Sequence, residues 1–336
     1  MIEGHGDDLY RYHGKIKYNF SSNIINGVDH TRLKAFLSER LDSIFNYPEP
    51  VPFSIERLIA SDSDVAPDNV MVTNGAVEAI YTIANSYRGV RSAVLQPTFT
   101  EYADACVGAL HTVISFSSID EIPADADLIW ICNPNNPTGE VINASRLRDV
   151  IKAHPDKIFI IDQAYHRYTD RELLTPDEAA AYHNLILIYS LTKDYSVPGL
   201  RLGYIVANHN LIEMLGTHRT PWSVNSLAIE AAHFLISHDS AYRFNPAILV
   251  DECQRIASAL ADLGIQSLPS ETNFILSRLP VGDAAALKEY LVENHGILIR
   301  DASNFKGLTD RHFRIAAQTP AENDLLINAI EQWMNS

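Results

Sequence analysis

The sequence predicts an α/β fold with a mostly parallel central sheet in a large domain, followed by a smaller α+β domain. Between about residues 70 and 210, short apolar runs alternate with helix-like stretches, as strands joined by crossover helices do. After Pro221 this alternation gives way to longer helical stretches with fewer strands. The chain has 336 residues, and chains beyond ~250 residues usually divide into domains.

The predicted strands of the large domain are short runs of mostly apolar residues. These runs are 92–95, 113–116, 128–132, 158–161, 185–189 and 204–207. Between them, residues 76–87 carry apolar side chains at helical spacing, and residues 146–154 read as a surface helix. Such a succession is typical of a parallel sheet covered by helices.

The rest of the chain completes the predicted organisation. We expect an amino-terminal arm (1–30), a large domain (31–220) and a small domain (221–336). In the small domain the patterns predict helices over 225–237, 245–263 and 319–334, and strands over 273–277, 296–300 and 311–316.

Composition excludes several classes of protein. Hydrophobic residues make up 46% of the chain and charged residues 20%, which is an ordinary globular composition. The sequence has no secretory leader and no run of ~18 apolar residues that could span a bilayer, so it predicts a soluble, cytoplasmic protein. The three cysteines, Cys106, Cys132 and Cys253, are widely spaced, which disfavours a disulfide framework or a zinc site and indicates packing residues.

The charge of the chain indicates the kind of ligand. A net charge of −16 repels the phosphates of nucleic acids, so nucleic acid is not an expected partner. Since the sequence has no apolar run long enough to span a bilayer, a membrane is not an expected partner either. Arginines in a pocket would stand out against this acidic background and would attract a small anionic substrate. The candidates are Arg201, Arg300 and Arg314.

Polar and aromatic residues collect where the predicted strands end. In open parallel sheets, ligands bind outside the carboxyl ends of the strands. The segments that follow these ends are 97–99, 133–139, 162–165 and 190–193. We therefore expect their side chains to meet at one edge of the sheet.

Lys193 follows the strand 185–189 and lies three residues after Ser190 and eight before Arg201. An amine forms a Schiff base with an aldehyde only when it is deprotonated, so a lysine of free pKa ~10.4 needs help from its surroundings near neutrality. The hydroxyl of Ser190 and the guanidinium of Arg201 could bind a phosphate. The arrangement suits a lysine that carries pyridoxal phosphate; the alternative is a surface lysine at the end of a buried strand.

Two further features indicate a phosphate and a flat ring. Gly75 and Ala76 stand where the helix 76–87 begins, and a helix start offers unpaired N–H groups to an anion. Phe99 follows Pro97 after a strand, where its ring could stack on a planar cofactor. The alternatives are an ordinary Asn-Gly turn and a core phenylalanine.

The segments 133–139 and 162–165 add groups for the polar atoms of such a ring. In the first, two prolines fix the backbone around Asn136, whose amide can donate toward a phenolic oxygen. Asp162 ends an apolar strand, where a carboxylate is costly unless it is paired, and a pyridinium N–H would pair it. Tyr165 can reach the phenolic oxygen. A plain turn and a strand-end helix cap are the alternatives.

The order of these features resembles the fold-type-I pyridoxal-phosphate enzymes, the class I/II aminotransferase superfamily, from about residue 19 to the carboxyl terminus. The resemblance implies pyridoxal 5'-phosphate as the cofactor, Lys193 as the Schiff-base lysine, Asp162 on the ring nitrogen and Phe99 stacked on the ring. It also implies Asn136 and Tyr165 on the phenolic oxygen, and it gives the phosphate to Gly75, Ala76, Ser190 and Arg201. Tyr47 would reach the phosphate of the other subunit, which implies a homodimer with shared active sites.

Within this superfamily the chain resembles histidinol-phosphate aminotransferases and threonine-phosphate decarboxylases. The segments that favour the decarboxylases are 4–6, 19–24, 99–102, 221–225, 297–300 and 304–305. This resemblance implies a substrate with both a carboxylate and a phosphate, surrounded by His5, Asn23, Arg300 and Arg314. Gln163 departs from the glutamate that is usual after the aspartate of the superfamily.

The expected function is decarboxylation of an O-phosphorylated, threonine-like amino acid, which would belong to cobalamin biosynthesis. Transamination, for example of histidinol phosphate, is the alternative within the same family. A different class is a regulatory module that binds the cofactor without turnover. Only a short arm precedes the enzyme-like region and the charge is acidic, so a fused DNA-binding unit is disfavoured.

Overall fold

The computed structural model describes residues 8–336. Its strands are β1 (Tyr18–Asn19), β2 (Val70–Thr73), β3 (Arg91–Leu95), β4 (Thr112–Phe116), β5 (Leu128–Cys132), β6 (Ile158–Asp162), β7 (Leu185–Tyr189), β8 (Gly203–Ala207), β9 (Gln266–Ser267), β10 (Phe274–Arg278), β11 (Ile297–Leu298), β12 (Arg300–Asp301) and β13 (His312–Ala316). Its α-helices are α1 (Thr31–Ser38), α2 (Phe53–Asp62), α3 (Ala76–Ser86), α4 (Glu101–Gly108), α5 (Ala144–Ala153), α6 (Pro176–Ala181), α7 (Leu191–Asp194), α8 (His209–Gly216), α9 (Ser226–Ser237), α10 (Pro246–Asp262), α11 (Ala284–His295) and α12 (Pro320–Met334). Within this described part, every helix is too short or too polar to cross a bilayer.

A seven-stranded sheet forms the centre of the molecule, in the order β2-β8-β7-β6-β5-β3-β4. The pairs from β7 to β4 are parallel, whereas β8 is antiparallel to both of its neighbours. The predicted mostly parallel α/β sheet is therefore confirmed. The edge strand β2 is the one member that the pattern of apolar runs does not single out.

Helices cover both faces of this sheet, which explains why its central strands β5 and β7 are buried and apolar along their whole length. Along β5, Ile129 and Ile131 face the core formed with α2, α5 and α9. Leu128 and Trp130 face the core formed with α3, α4 and α8. Side chains that alternate between two buried faces give a continuous apolar run rather than an alternating one.

The three cysteines are packing residues, as predicted. Cys106 and Cys132 lie in the core of the second face, and Cys253 lies in the core of the carboxyl-terminal part. All three are buried free thiols. Burial raises the pKa of the Cys106 thiol to about 11, which keeps it protonated and unreactive near neutrality.

The carboxyl-terminal part has its own sheet, in the order β12-β13-β10-β9, with antiparallel pairs throughout. The predicted strand 296–300 is divided into β11 and β12. β1 pairs with β11, and Phe20 is buried in this core, so the amino-terminal segment is attached here. Helix α9 packs in the core of the large sheet. The boundary between the large and small domains at residue 220 stays a prediction. Because α9 packs with the large sheet, a boundary nearer residue 245 is favoured.

The sheet order determines where functional side chains meet. The strands β7, β6, β5 and β3 are neighbours and run in the same direction. Their carboxyl ends therefore lie side by side, and the segments that follow them share one edge of the sheet.

Candidate active site

A cavity of about 280 Å³ opens at this edge, between the large sheet and the carboxyl-terminal part. Its lining contains most of the residues predicted to contact a cofactor or substrate. They are Ala76, Phe99, Asn136, Asp162, Tyr165, Ser190, Lys193, Arg201, Arg300 and Arg314. Strand ends far apart in sequence thus converge on one pocket.

Lys193 lies on the short helix α7, directly after β7. Its Nζ donates to the carbonyl oxygen of Ser22 at 2.6 Å and lies 5.6 Å from the centre of the Tyr165 ring. The hydroxyl of Tyr168 donates to the Lys193 carbonyl at 2.8 Å, which fixes the backbone of the lysine. The amine is therefore held inside the cavity by a backbone contact that it can exchange for a ligand.

Asp162 is 4% exposed at the end of β6. Its Oδ1 accepts from the amide of Ala164 at 2.9 Å, and its Oδ2 accepts from the hydroxyl of Tyr102 at 2.7 Å. Burial raises the pKa of this carboxyl, while the two hydrogen bonds oppose the shift. Each oxygen keeps a second acceptor position, so the carboxylate can pair with a cationic N–H in the cavity.

Tyr165 and Asn136 line the same cavity as Asp162. The amide of Asn23 donates to the Tyr165 hydroxyl at 3.2 Å. Arg314 donates to Oδ1 of Asn136, so the Asn136 NH₂ group is left to donate elsewhere. Burial raises the pKa of Tyr165 to about 12, so its phenol stays protonated near neutrality.

At the predicted anion site, glycines let other groups come close to the backbone at the start of α3. Gly75 precedes α3 with φ +82°, and a Cβ placed on it would lie 2.5 Å from Nη2 of Arg201. A Cβ on Gly203 would lie 2.5 Å from the backbone nitrogen of Ala76. Both glycines therefore allow the Arg201 guanidinium and the start of α3 to share one small space, as phosphate binding requires. Burial lowers the pKa of Arg201 from its ordinary value.

We expect Gly75→Ala to weaken phosphate binding and stability together. Gly75 has φ +82° and ψ 162°, a conformation that costs other residues about 1–3 kcal/mol. The added methyl group would also displace Arg201. Isothermal titration with pyridoxal phosphate and urea unfolding would measure the two losses. Gly89→Ala has a similar positive φ with open space around it, so it should lower stability alone.

Two arginines from the carboxyl-terminal sheet also line the cavity. Arg300 and Arg314 are register partners on the paired strands β12 and β13, and both are buried. Arg314 donates to the Ser21 carbonyl at 2.5 Å, and Arg300 donates to Asn304 at 2.7 Å. Burial lowers the pKa of each guanidinium to about 10, and Arg314 contributes to the shift at Arg300. Two adjacent buried cations favour an anionic ligand.

Among the described residues, two predicted ones lie apart from the cavity lining and its anion site. Asn23 is buried and does not line the cavity, but its amide donates to the hydroxyl of Tyr165, which does. Tyr47 is 90% exposed and packs 5.8 Å from the Trp222 ring, away from the cavity of its own chain. His5 lies outside the described residues.

The sequence patterns missed three contributors: Tyr102, Ser22 and Gly203. Tyr102 lies in the segment 99–102 and Gly203 lies two residues after Arg201, so both were near predicted residues. No local pattern assigns Tyr102 to Asp162 or Ser22 to Lys193, because these partners are far apart in the chain.

Comparison with known proteins places these residues in a family. Residues 16–330 match the family model described as aminotransferase class I and II. A histidinol-phosphate aminotransferase from Thermoanaerobacter sp. (strain X514) is 31% identical over 303 residues, which cover 85% of this chain and 84% of that protein.

Two solved structures have the same fold as this chain. The structure of L-threonine-O-3-phosphate decarboxylase from Porphyromonas gingivalis is 38% identical with a TM-score of 0.92, covering 95% of this chain and all of that chain (100%). A histidinol-phosphate aminotransferase from Sinorhizobium meliloti, solved in complex with pyridoxal-5'-phosphate, has a TM-score of 0.86 at 19% identity. That match covers 97% of this chain and 93% of the other.

Proposed function

The chain belongs to the family of class I and II aminotransferases, and on that premise we propose that it decarboxylates a small O-phosphorylated amino acid, with L-threonine O-3-phosphate as the substrate. The observation that carries this proposal is the pair of buried arginines that line the same cavity as Lys193, in a chain 38% identical to a threonine-phosphate decarboxylase. The chain is an enzyme of a pyridoxal-phosphate-dependent family. Membership in it disfavours the alternative of a regulatory module without turnover.

The cavity fits pyridoxal phosphate by the chemistry of its donor set. Asp162 keeps acceptor positions for a ring N–H, and Asn136 and Tyr165 keep donors for a phenolic oxygen. The start of α3 with Arg201 offers a phosphate site. Ser22 Oγ and Arg314 Nε are buried without a hydrogen-bond partner among residues 8–336, so the cavity has polar groups ready for a ligand.

When bound, pyridoxal phosphate supplies an electron-accepting ring to the α-carbon of the amino acid. We assign the surrounding steps to this chain's own groups. Asp162 holds the proton at the ring nitrogen, and the Lys193 amine carries a proton to or from the α-carbon. Decarboxylation breaks the bond to the carboxylate, releases carbon dioxide and replaces it with that proton, so the product amine keeps its phosphate.

The orientation of the substrate determines which bond to its α-carbon breaks, because that bond must lie perpendicular to the cofactor ring. Arg314 contacts Asn136 and the Ser21 carbonyl, both close to the predicted cofactor, which suits a site for the substrate carboxylate. Arg300 then remains for the phosphate. Two forked guanidinium sites would hold both ends of the substrate and fix its rotation.

Two incubations separate this proposal from its alternative. With threonine phosphate, the purified holoenzyme should release carbon dioxide. With histidinol phosphate and 2-oxoglutarate, it should form little glutamate. The second assay tests transamination, which is favoured by the 31% identity to a histidinol-phosphate aminotransferase. Glutamate formation without carbon dioxide release would overturn the decarboxylase proposal in favour of transamination.

We expect Arg300→Lys to lower kcat/KM for threonine phosphate by about tenfold to a hundredfold. The variant keeps a positive charge but loses the forked pair of donors, and hydrogen bonds to charged groups contribute about 1.5–3 kcal/mol. Kinetics with threonine as a second substrate would test the assignment, since the loss should be confined to the phosphorylated one. Arg278→Lys, at an exposed position on β10, is the control.

A homodimer with shared active sites completes the proposal. Tyr47 and Phe45 are exposed beside Trp222, and together they form an apolar surface unusual for a monomer. We propose that a second copy covers this surface and receives the Tyr47 hydroxyl at its phosphate site. A cytoplasmic location and a place in cobalamin biosynthesis stay predictions.

Sedimentation should therefore give the mass of two chains. Tyr47→Phe should leave that mass unchanged and raise the dissociation constant for pyridoxal phosphate about tenfold, since one hydrogen bond to a charged phosphate is lost. The shared site would be contradicted if the unaltered protein sedimented as a monomer. It would also be contradicted if Tyr47→Phe bound the cofactor as tightly as the unaltered protein.

A further inference from the structure

The hydroxyl of Tyr102 makes a short contact with a buried acid that lines the cavity. It lies 2.7 Å from Oδ2 of Asp162, at the carboxyl end of β6. An ionised carboxylate only accepts hydrogen bonds, so the phenol is the donor. Burial raises the pKa of Tyr102 well above its ordinary value, and the phenol therefore remains a donor across the accessible pH range.

The side chain of Tyr102 is buried and packs against two aromatic rings. It is 1% exposed on helix α4. Its ring stacks on Trp130 with centres 5.8 Å apart and planes 25° apart. It also forms an edge-to-face pair with the ring of Phe99, with centres 5.8 Å apart. One side chain thus contacts both the predicted stacking ring and the predicted partner of the ring nitrogen.

A chain of buried hydrogen bonds holds Trp130 in turn. The indole N–H donates to Ser92 Oγ at 3.3 Å, and Ser92 Oγ lies 2.8 Å from Nδ1 of His111. Nε2 of His111 lies 2.9 Å from the Ala84 carbonyl, which can only accept, so Nε2 carries the proton. Ser92 therefore donates to Nδ1. Burial lowers the pKa of His111, which agrees with the neutral ring that this order of donors requires.

We propose that Tyr102 is a positioning residue of the cofactor site, and that its hydroxyl fixes the Asp162 carboxylate and keeps it ionised for the ring nitrogen of pyridoxal phosphate. This inference deepens the proposed function and rests on it. The physical reason is that a buried carboxylate is costly, and a hydrogen bond from a neutral phenol stabilises its charged form. Without that bond, Asp162 would take up a proton more readily and would hold the ring proton less well.

The test uses holoenzyme reconstituted with pyridoxal phosphate labelled with ¹⁵N in the ring. In Tyr102→Phe, which keeps the ring stacked on Trp130, the ¹⁵N signal should move toward the value of an unprotonated ring. We expect kcat to fall about tenfold to a hundredfold with little change in KM, the cost of one hydrogen bond to a charged group. Tyr81→Phe removes a comparable phenol, bonded to Glu101 at 2.9 Å, and should change neither the signal nor kcat.

A double substitution shows whether Tyr102 acts through Asp162. In an Asp162→Asn background, Tyr102→Phe should cause no further shift of the ¹⁵N signal. Equal shifts in both backgrounds would overturn the proposal, as would an unmoved signal in Tyr102→Phe itself. If Tyr102→Phe does not fold, Trp130→Phe should produce a smaller shift in the same direction, and no shift would count against the inference.

Failure of this inference is distinguishable from failure of the proposed function. If the unaltered holoenzyme has a labelled cofactor on Lys193 and releases carbon dioxide while Tyr102→Phe leaves the ¹⁵N signal in place, only the role of Tyr102 is wrong. If the unaltered protein binds no cofactor, or binds it and releases no carbon dioxide, the proposed function itself is wrong.

Discussion

Lys193→Ala should abolish turnover, with a loss of about 10³-fold or more in the rate of carbon dioxide release from threonine phosphate. Proton transfer by a positioned side chain contributes ~10²–10⁴-fold, and this amine is also the predicted covalent attachment of the cofactor. Within the cavity it lies 2.6 Å from the Ser22 carbonyl and faces the Tyr165 ring. Steady-state kinetics with saturating pyridoxal phosphate would measure the loss.

The matched control is Lys152→Ala, which removes an exposed lysine from α5. It should retain full activity and the absorbance band of the bound cofactor, whereas Lys193→Ala should lose that band. Activity within about tenfold of the unaltered enzyme in Lys193→Ala would remove the lysine from the proposed chemistry, because such a residue contributes more than that.

Asp162→Asn should lower kcat by about 10²- to 10⁴-fold, since losing one partner of a buried ion pair costs about 3–5 kcal/mol and 1.36 kcal/mol is a factor of ten. Asparagine has the same shape as aspartate but no charge with which to hold a ring proton. The Tyr102 hydroxyl and the Ala164 amide should keep the side chain in place. Kinetics and the ¹⁵N signal of the ring should change together. Asp149→Asn, on the exposed face of α5, is the control.

Although Asp162→Asn should lower kcat, it should not lower the stability of the cofactor-free protein. Burial raises the pKa of Asp162 in the folded protein, so the folded state binds a proton more tightly than the unfolded state. The stability that the Asp162 carboxyl contributes is present below the ordinary aspartate pKa of about 3.9. It is lost as the pH rises through the higher pKa of this carboxyl in the folded protein. Near neutrality, cofactor-free Asp162→Asn should therefore unfold at the same urea concentration as the unaltered protein or a higher one. A large loss of stability would mean that Asp162 is a structural residue.

The fold and the residues that line the candidate site could be predicted from sequence because both depend on local signals. Apolar runs mark the strands, and a parallel sheet brings residues that follow successive runs to one edge. Asp162 and Lys193 each follow such a run directly, so their meeting needed no knowledge of side-chain packing. The strand pairing β7-β6 then placed them in one cavity.

Contacts between distant segments could not be predicted in this way. The Tyr102 and Asp162 side chains are 60 residues apart, and Ser22 lies 171 residues before Lys193. Their meeting depends on how α4 packs on the sheet and on how the amino-terminal segment attaches to β11. Such packing is determined by the shapes of many buried side chains, which no local pattern records.

The central claim is that Lys193 holds pyridoxal phosphate covalently, and borohydride reduction followed by peptide mass spectrometry tests it most directly. Protein purified with excess cofactor and reduced should yield one modified peptide, with the phosphopyridoxyl group on Lys193. An unmodified Lys193, or an adduct confined to another lysine, would contradict the account.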